Sequence, residues 1–536
     1  MDEERLEQEL QAFLESEVKK AEPSSEWWNN AISRLDEKRQ DSRPVRTNFW
    51  KLRPSLITIP LSIFLLVILV GGLIGSMGGM APPPPSAPAM VSDEAGGSFL
   101  VWLDKPYHQA ESVIYVQRVD AAGNLLWGEN GKRIADGNPG VPYATGDGEG
   151  GIIVAWGSSG SIQITRLSPD GETIWNLENI TSWSVMDIVE DGFGGAILLL
   201  YDRINSVYAQ RVNNEGELLW GENGVFLGNT QEVGRGKSLI SDGAGGAVVI
   251  WQKQSAMDME ISAQRLNAEG VAQWGDNGII VTSREGSQGN NRDIINDGIG
   301  NFIIAWDTGG LTPDTDIYIQ KLDGNGNFLW GDEGILVCED QQGESFGLGN
   351  MQSHPRIVVD GTGGVIVTWH DRRRIMNREI FAQRISADGE TLWAENGVWV
   401  WDIPADYYMT ANGILDGTIT SDGAGGAVIA WTGYKESYNK GSVIYAQRLS
   451  PDGQLLWAND EVYGTSPFQS QGYANIVSDG QGGIIIGTRV GESKQISHTN
   501  SIYTQRIDSE GNRVWGDSGL EIRKVATAPT LVIITL

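Results

Sequence analysis

Two groups of residues carry side chains that could do chemistry. The first is His370-Asp371, followed by Arg372, Arg373 and Arg374. A histidine beside an aspartate could form part of a proton relay, and the arginines could hold an anion. Neighbours on a strand point to opposite faces, however, which separates His370 from Asp371. Asp202-Arg203 fills the equivalent place elsewhere in the chain without a histidine. The second group is Trp399, Trp401, Tyr407 and Tyr408, enough aromatic surface to stack on a sugar ring or a peptide. His370, Arg372 and these four aromatics are the candidate ligand-binding residues; no catalytic residue and no metal ligand is singled out. With 4 histidines and one cysteine, Cys338, a His- or Cys-based metal site and an internal disulfide are not expected.

These residues sit within a unit that recurs eight times after Met90. Val365–Gly397 is its cleanest copy. A Gly-rich turn, Asp360 to Gly364, feeds an apolar run ending at Trp369. A polar loop leads to an alternating segment, Ile380 to Ile385. A second turn, Asp388-Gly389, precedes Leu392-Trp393 and then Asn396-Gly397. The first aromatic column is Trp102, Trp156, Tyr201, Trp251, Trp306, Trp369 and Trp431, with Gly487 in the eighth unit. The second is Trp127, Trp175, Trp220, Trp274, Trp330, Trp393, Trp457 and Trp515. Each unit offers four short strands: before the Gly turn, ending at the first aromatic, through Ala-Gln-Arg, and around the second Trp. Val, Ile and Tyr dominate these runs, with Gly, Asp and Asn between them. A lone four-stranded sheet cannot cover both faces, whereas sheets stacked around a ring can. The expected fold is therefore all-β, a β-propeller of eight four-stranded blades spanning 90–536, with seven the nearest alternative. The terminal run Leu531 to Leu536 is expected to pair with the first blade and close the ring.

The repeat itself resembles an uncharacterised propeller-like repeat of bacterial secreted and surface proteins. The likeness rests on Trp369 to Arg373, Ile380 to Arg384, Asp388 to Trp393, Ile444 to Arg448 and Asp452 to Trp457, and it implies no activity. The Gly-x-x-x-Trp ending is also similar to the tryptophan-docking motif of quinoprotein (PQQ-type) eight-bladed propellers. The Asp-to-Gly spacing is shorter here, as in Asp120-Ala121-Ala122-Gly123. That resemblance implies the same fold and raises PQQ as a cofactor.

A group that does chemistry is needed once, so a residue present in every unit reads as scaffold. The Asp-Gly-x-Gly-Gly turns suggest calcium loops at first sight, but the distal ligands are missing and a tight hairpin explains the glycines. The basic column of Arg118, Arg166, Arg211, Arg265, Lys321, Arg384, Arg448 and Arg506 is expected to pair locally with Asp or to stack on Trp. No cofactor is expected, PQQ and calcium being the two that the motifs raise. In a propeller the first-to-second and third-to-fourth turns share one face, and here both are short. The other two connections share the opposite face and vary. The long ones, Cys338–Pro355, Trp399–Thr418, Thr432–Ser442 and Arg489–Ser501, belong to units five to eight, so recognition is expected there.

The chain carries 70 glycines, 20 tryptophans and a net charge of -30. Residues 1–53 hold 12 acidic and 10 basic residues, so nearly all of the excess belongs to the repeats. Such a surface repels phosphate backbones and argues against nucleic acid as a partner. Residues 1–53 read as a short helical segment, with Leu6, Leu10, Phe13, Leu14 and Val18 on one face, and 1–35 could dock a cytoplasmic partner. Residues 54–80 read as one transmembrane helix, Leu56 to Met80 being free of charge. Arg43, Arg46, Lys51 and Arg53 flank it on one side only, which puts the N-terminus in the cytoplasm and the repeats outside the cell. Gly71, Gly75 and Gly79 could bring two anchors together as a dimer. Residues 81–89, with four consecutive prolines, form a stiff spacer. The leading expectation is a membrane-anchored, extracytoplasmic recognition or scaffolding module for a glycan or protein ligand, and not an enzyme. The alternatives are an anti-sigma-like transmembrane sensor, or a quinoprotein-like or glycan-active enzyme.

Overall fold

The computed structural model describes residues 88–523 apart from connecting segments, the longest being 283–290, 339–351, 401–417, 458–470 and 492–499. The anchor, cytoplasmic and dimer readings of residues 1–80 lie outside the described residues, as does the terminal run 531–536. The described residues form eight antiparallel sheets and no helix, so no helix among them is long and apolar enough to cross a membrane.

Each sheet is one consecutive stretch of chain. The first contains Ala89–Ser92, Ser98–Asp104, Val113–Val119 and Lys132–Ala135, in that spatial order. The remaining blades span 143–177, 184–229, 239–282, 291–338, 353–399, 418–449 and 471–523. The seventh shows three strands among the described residues; the others have four. The two-residue strand Arg235–Gly236 adds in parallel to the first strand of the fifth blade. First strands neighbour one another around the whole ring, including the eighth against the first. This is an eight-bladed β-propeller.

The sequence motifs make one bonded unit, seen in the sixth blade. Asp360 Oδ1 accepts the N–H groups of Thr362 (2.8 Å) and Gly364 (2.9 Å), folding the first turn. Gly364 has no room for a side chain, since a Cβ would lie 2.3 Å from the Ile385 carbonyl oxygen. Asp360 Oδ2 receives Arg384 Nε at 2.9 Å. The neighbouring Gln383 accepts the N–H of Arg384 (2.9 Å) and of Trp393 (3.0 Å), while its Nε2 donates to the Ala394 carbonyl at 2.8 Å. Arg384 NH1 and Trp393 Nε1 then both donate to one carbonyl of the seventh blade, Pro451 O, at 3.0 and 2.9 Å. The expected local pairing of the basic column is thus present, and the same cation also reaches the next blade.

That linkage runs around the ring. Arg118 and Trp127 meet Pro169 O, Arg166 and Trp175 meet Asn214 O, and Arg211 and Trp220 meet Ala268 O. In the eighth blade Arg506 NH1 and Trp515 Nε1 meet Ala121 O of the first, at 3.1 and 3.3 Å. Closure therefore uses the same side-chain bonds as the other junctions built on an arginine. In the fifth blade Lys321 reaches Gly363 O instead, and Trp330 reaches Ala387 O.

One expectation changes. In six blades the fourth strand follows the second Trp instead of containing it, as Lys132–Ala135 follows Trp127. The cause is that linkage: the Gln–Trp bond and the docking of the ring on the next blade pull the Trp segment out of its own sheet. A single bridge such as Val119↔Leu125 remains there. Blade two is the exception, with Trp175 inside Thr173–Leu177.

Two tests follow from the bonding. Arg506→Ala strands the buried Asp479 carboxylate and opens the closing junction. Its expected cost is about 3–5 kcal/mol by urea unfolding, and a loss no larger than that of a surface arginine would show that closure lies elsewhere. Burial raises the Asp360 carboxyl, but the Thr362 donors and Arg384 outweigh it and hold it below the usual aspartate range. A depressed folded value means stability that is complete above the unfolded value of about 4 and lost as pH falls through the folded one. Asp360→Asn should flatten this acid limb in thermal melts recorded from pH 5 downward.

Candidate functional site

The antiparallel order places the Asp-Gly-x-Gly-Gly and Asp-x-x-Gly turns on one face, the turn face. The second-to-third and blade-to-blade connections lie on the other, the loop face. The turn face is committed to the bonding above. On the loop face, the residue after the first aromatic column takes six types over the eight blades: Leu103, Gly157, Asp202, Gln252, Asp307, His370, Thr432 and Thr488. The six polar ones are all buried. Buried polar groups need partners, so this column organises the polar structure beneath the loop face.

Its densest part joins blades four to six. Asp307 accepts Asn291 N at 3.0 Å and Nδ2 at 2.5 Å, and also His354 N at 3.3 Å. Burial pushes the Asp307 carboxyl up, and these bonds together with Arg356 only partly offset it. Arg292 is fully buried, donates to Ser238 Oγ at 3.2 Å, and is pushed down to about 10 by burial, with Asp307 opposing. It therefore remains a cation at neutral pH. Asp293 Oδ2 accepts Ile357 N of the next blade at 3.0 Å. His354 sits at φ 59, where a bulge interrupts the pairing of Ser353–Val359. Its ring stacks on that of His370, with centroids 5.0 Å apart and 27° between planes.

This placement answers part of the sequence reading. His370 is buried and its ring partner is His354, while Asp371 turns the other way and accepts Trp369 Nε1 at 2.9 Å. Trp399 pairs with Phe381 at the outer edge of the sixth blade and packs on the core between blades five and six, so it serves the scaffold. Arg372, Trp401, Tyr407 and Tyr408 lie outside the described residues. Cys338, the single cysteine, is a buried thiol. Among the described residues no three His, Cys, Asp or Glu side chains gather to hold a metal ion. The Asp-Gly-x-Gly-Gly carboxylates are taken up by backbone N–H groups and arginine.

The opposite side of the loop face holds a pocket of about 250 Å³ that the sequence reading missed. Val101 to Leu103, Val141 to Ala144, Asp187, Ile188 and Asn475 line it, from blades one, two, three and eight. The chain enters the ring beside it, where Asn475 Nδ2 donates to Pro88 O at 2.9 Å. Asp187 Oδ1 accepts Ile188 N at 2.9 Å and Oδ2 accepts Ser238 N at 3.3 Å. Burial, and then the charge of Asp187, push the Tyr143 phenol above its usual value. The available signal was a polar residue in the middle of an apolar run, as Asp187 is between Val185-Met186 and Ile188-Val189.

No protein-family model matches the chain, and no curated protein does. Solved structures do. A polysaccharide lyase of family PL25, an ulvan lyase bound to -[GlcA(1-4)Rha3S]-, is 11% identical with TM-score 0.40, over 61% of this chain and 81% of its own. The β-propeller domain of the Trilobed protease from Pyrococcus furiosus, described as having an open velcro topology, is 10% identical with TM-score 0.34, over 68% and 95%. Prolyl oligopeptidase B from Galerina marginata is 12–13% identical with TM-scores of 0.37 and 0.38 in two structures, over 82% of this chain and 50% of its own. At this identity the likeness concerns the fold alone. It does correct one expectation. Propellers similar to this one occur in a lyase and a peptidase, so the architecture is compatible with an enzyme and the reading that the chain is not one is dropped.

The raised Tyr143 predicts a specific alkaline response. The unfolded chain releases this proton first, so stability is complete below about pH 10 and falls above it. Tyr143→Phe should reduce that alkaline slope in denaturant titrations, and an unchanged slope would show that the phenol is not held in this environment.

Proposed function

We propose that this protein is a membrane-anchored, extracytoplasmic recognition platform whose ligand meets the loop face of the propeller. One observation carries the reading. The positions that repeat are taken up by bonding and packing within and between blades, as Asp360, Gln383, Arg384 and Trp393 are, whereas the column on the loop face from Leu103 to Thr488 carries six residue types over eight blades. A fixed scaffold with one variable face is how recognition surfaces are built. Residues 54–80 serve as the anchor and 81–89 as the spacer, on the composition of those stretches. The strands that end blade six and begin blade seven, Val398–Trp399 and Thr418–Ser421, flank the stretch of sequence that holds Trp401, Tyr407 and Tyr408, and these aromatics are assigned to ligand contact on their residue type. An acidic domain of this charge favours neutral or basic ligands over polyanions.

The test is a binding screen of the full chain in detergent micelles against immobilised cell-surface polysaccharides and extracellular proteins. Retention on at least one matrix is expected, weakened at least ~10-fold by combined Trp401→Ala and Tyr407→Ala, since aromatic anchors dominate such contacts. Shortening of a bound polysaccharide during incubation would add turnover to recognition. No retention on any matrix would overturn the platform.

A further inference from the structure

The pocket between blades eight, one, two and three has walls and polar groups that select a ligand class. We propose that it is a subsite for a single neutral pyranose ring, the end or one unit of a glycan held on the loop face. This rests on the platform reading and gives it a substrate class. At about 250 Å³ the pocket lies just under the roughly 300–1,000 Å³ of sites for drug-sized molecules, which is room for one ring and not for a chain of them. Val101, Leu103, Val141 and Ile188 make its apolar sides, and Val141 is half exposed at the lip. Such walls suit the C–H faces of a sugar.

The polar groups are biased towards accepting hydrogen bonds. Asn475 spends one of its two Nδ2 hydrogens on Pro88 O, which leaves the amide oxygen to accept and one N–H to donate. Asp187 offers only oxygens. Tyr143 keeps its proton across the physiological range and can donate once and accept. The complement is a molecule with several O–H donors. A free ammonium would need a carboxylate charge to itself, and the Asp187 carboxylate already serves two backbone N–H groups, Ile188 and Ser238. A uronate or sulfated sugar would meet no lining cation: the lining residues include Asp187 and neither lysine nor arginine, and Arg489, which donates to the Leu103 carbonyl at 2.7 Å, is not among them. Neutral hydroxyl-rich rings therefore fit, and anionic ones do not.

The experiment uses the full chain in detergent micelles and the methyl glycosides of glucose, galactose, mannose, N-acetylglucosamine and glucuronic acid. Saturation-transfer NMR and calorimetry read binding. At least one neutral glycoside is expected to bind, and the glucuronide at least ~10-fold more weakly, the cost of placing a charge beside a like charge without a counter-ion. Tyr143→Phe should weaken the neutral ligand about fivefold, the usual worth of one hydrogen bond. Leu103→Trp should fill the pocket and abolish binding, and Val141→Trp, on the exposed lip, should do the same without touching the core. No neutral glycoside bound, equal binding of the glucuronide, or binding unmoved by both Trp variants would each overturn the subsite. If a polysaccharide is still retained by Val141→Trp as by the parent, the platform stands and the subsite falls. If nothing is retained by the parent chain, both fall.

Discussion

Each junction between blades hangs on a main-chain carbonyl oxygen shared by an indole N–H and, in seven of the eight junctions, a guanidinium. The oxygen sits in a four-residue turn of the next blade that begins with Asp, Asn or Ser and ends in Gly, and the turn's glycine lies under the indole ring. A Cβ would come 2.8 Å from Trp515 at Gly123 and 2.9 Å from Trp393 at Gly453. Both glycines are also at positive φ, 90° and 78°. The position therefore excludes side chains twice, by backbone conformation and by contact. A docked Trp buries on the order of 150–250 Å², and one oxygen satisfying two donors fixes its angle. The eighth blade repeats this arrangement on the first, so among the described residues the ring of contiguous blades is joined at its closing junction by side-chain bonds.

That dependence has a consequence for where chemistry can be. Asp, Gln, Arg, Trp and the glycines of the repeat are all consumed by the junctions, and they all lie towards the turn face. Substituting any of them for a ligand's sake would loosen a junction. The loop face carries no such obligation, since its connections only have to bridge strand ends. Charges collect beneath it at a real cost: Arg292 and Asp307 are both pushed towards their neutral forms by burial. Replacing such a buried pair with apolar residues is often neutral or stabilising. Its persistence here points to positioning, with Arg292 tying blade five to Ser238 of blade four and Asp307 tying the Asn291 and His354 backbone across blades five and six.

Much of this was legible in the chain because it repeats. Six copies each of Asp-Gly-x-Gly-Gly and Gln-Arg, and eight of the second Trp, let scaffold be separated from site in the sequence itself, and the expected pairing of Arg384 with an aspartate is the bond to Asp360. The placement of the second Trp was not legible. Its N–H bond to Gln383 and its landing on Gly453 come from different blades, and no local pattern announces them. His370 shows the same limit of reading neighbours. Its adjacent Asp371 faces away towards Trp369, and the ring that meets it is His354, brought close by a bulge. The pocket was hidden for the plainest reason: Val101, Tyr143, Asp187 and Asn475 are spread over nearly the whole domain and meet only because the ring closes.

The two halves of the loop face differ in kind. Across blades four to six, first strands are stitched by side chains, with Asp293 holding Ile357 N and Arg292 holding Ser238, and an extra strand at Arg235–Gly236 fills the inner edge of the fifth blade. His354 at φ 59 is a strained residue that persists only because its surroundings fix it. Across blades eight, one, two and three the described stitching includes Asn475 to Pro88, Arg489 to the Leu103 carbonyl and Arg523 to Asp104, and a pocket is left between the strand ends. A ligand gripped at the open half would rest against a half that is already set, so little of its binding energy would go into ordering the protein. The ring closure that brings residues 89 and 475 together is thus also what gives the pocket its walls, and weakening the Ala121 junction would be felt there first.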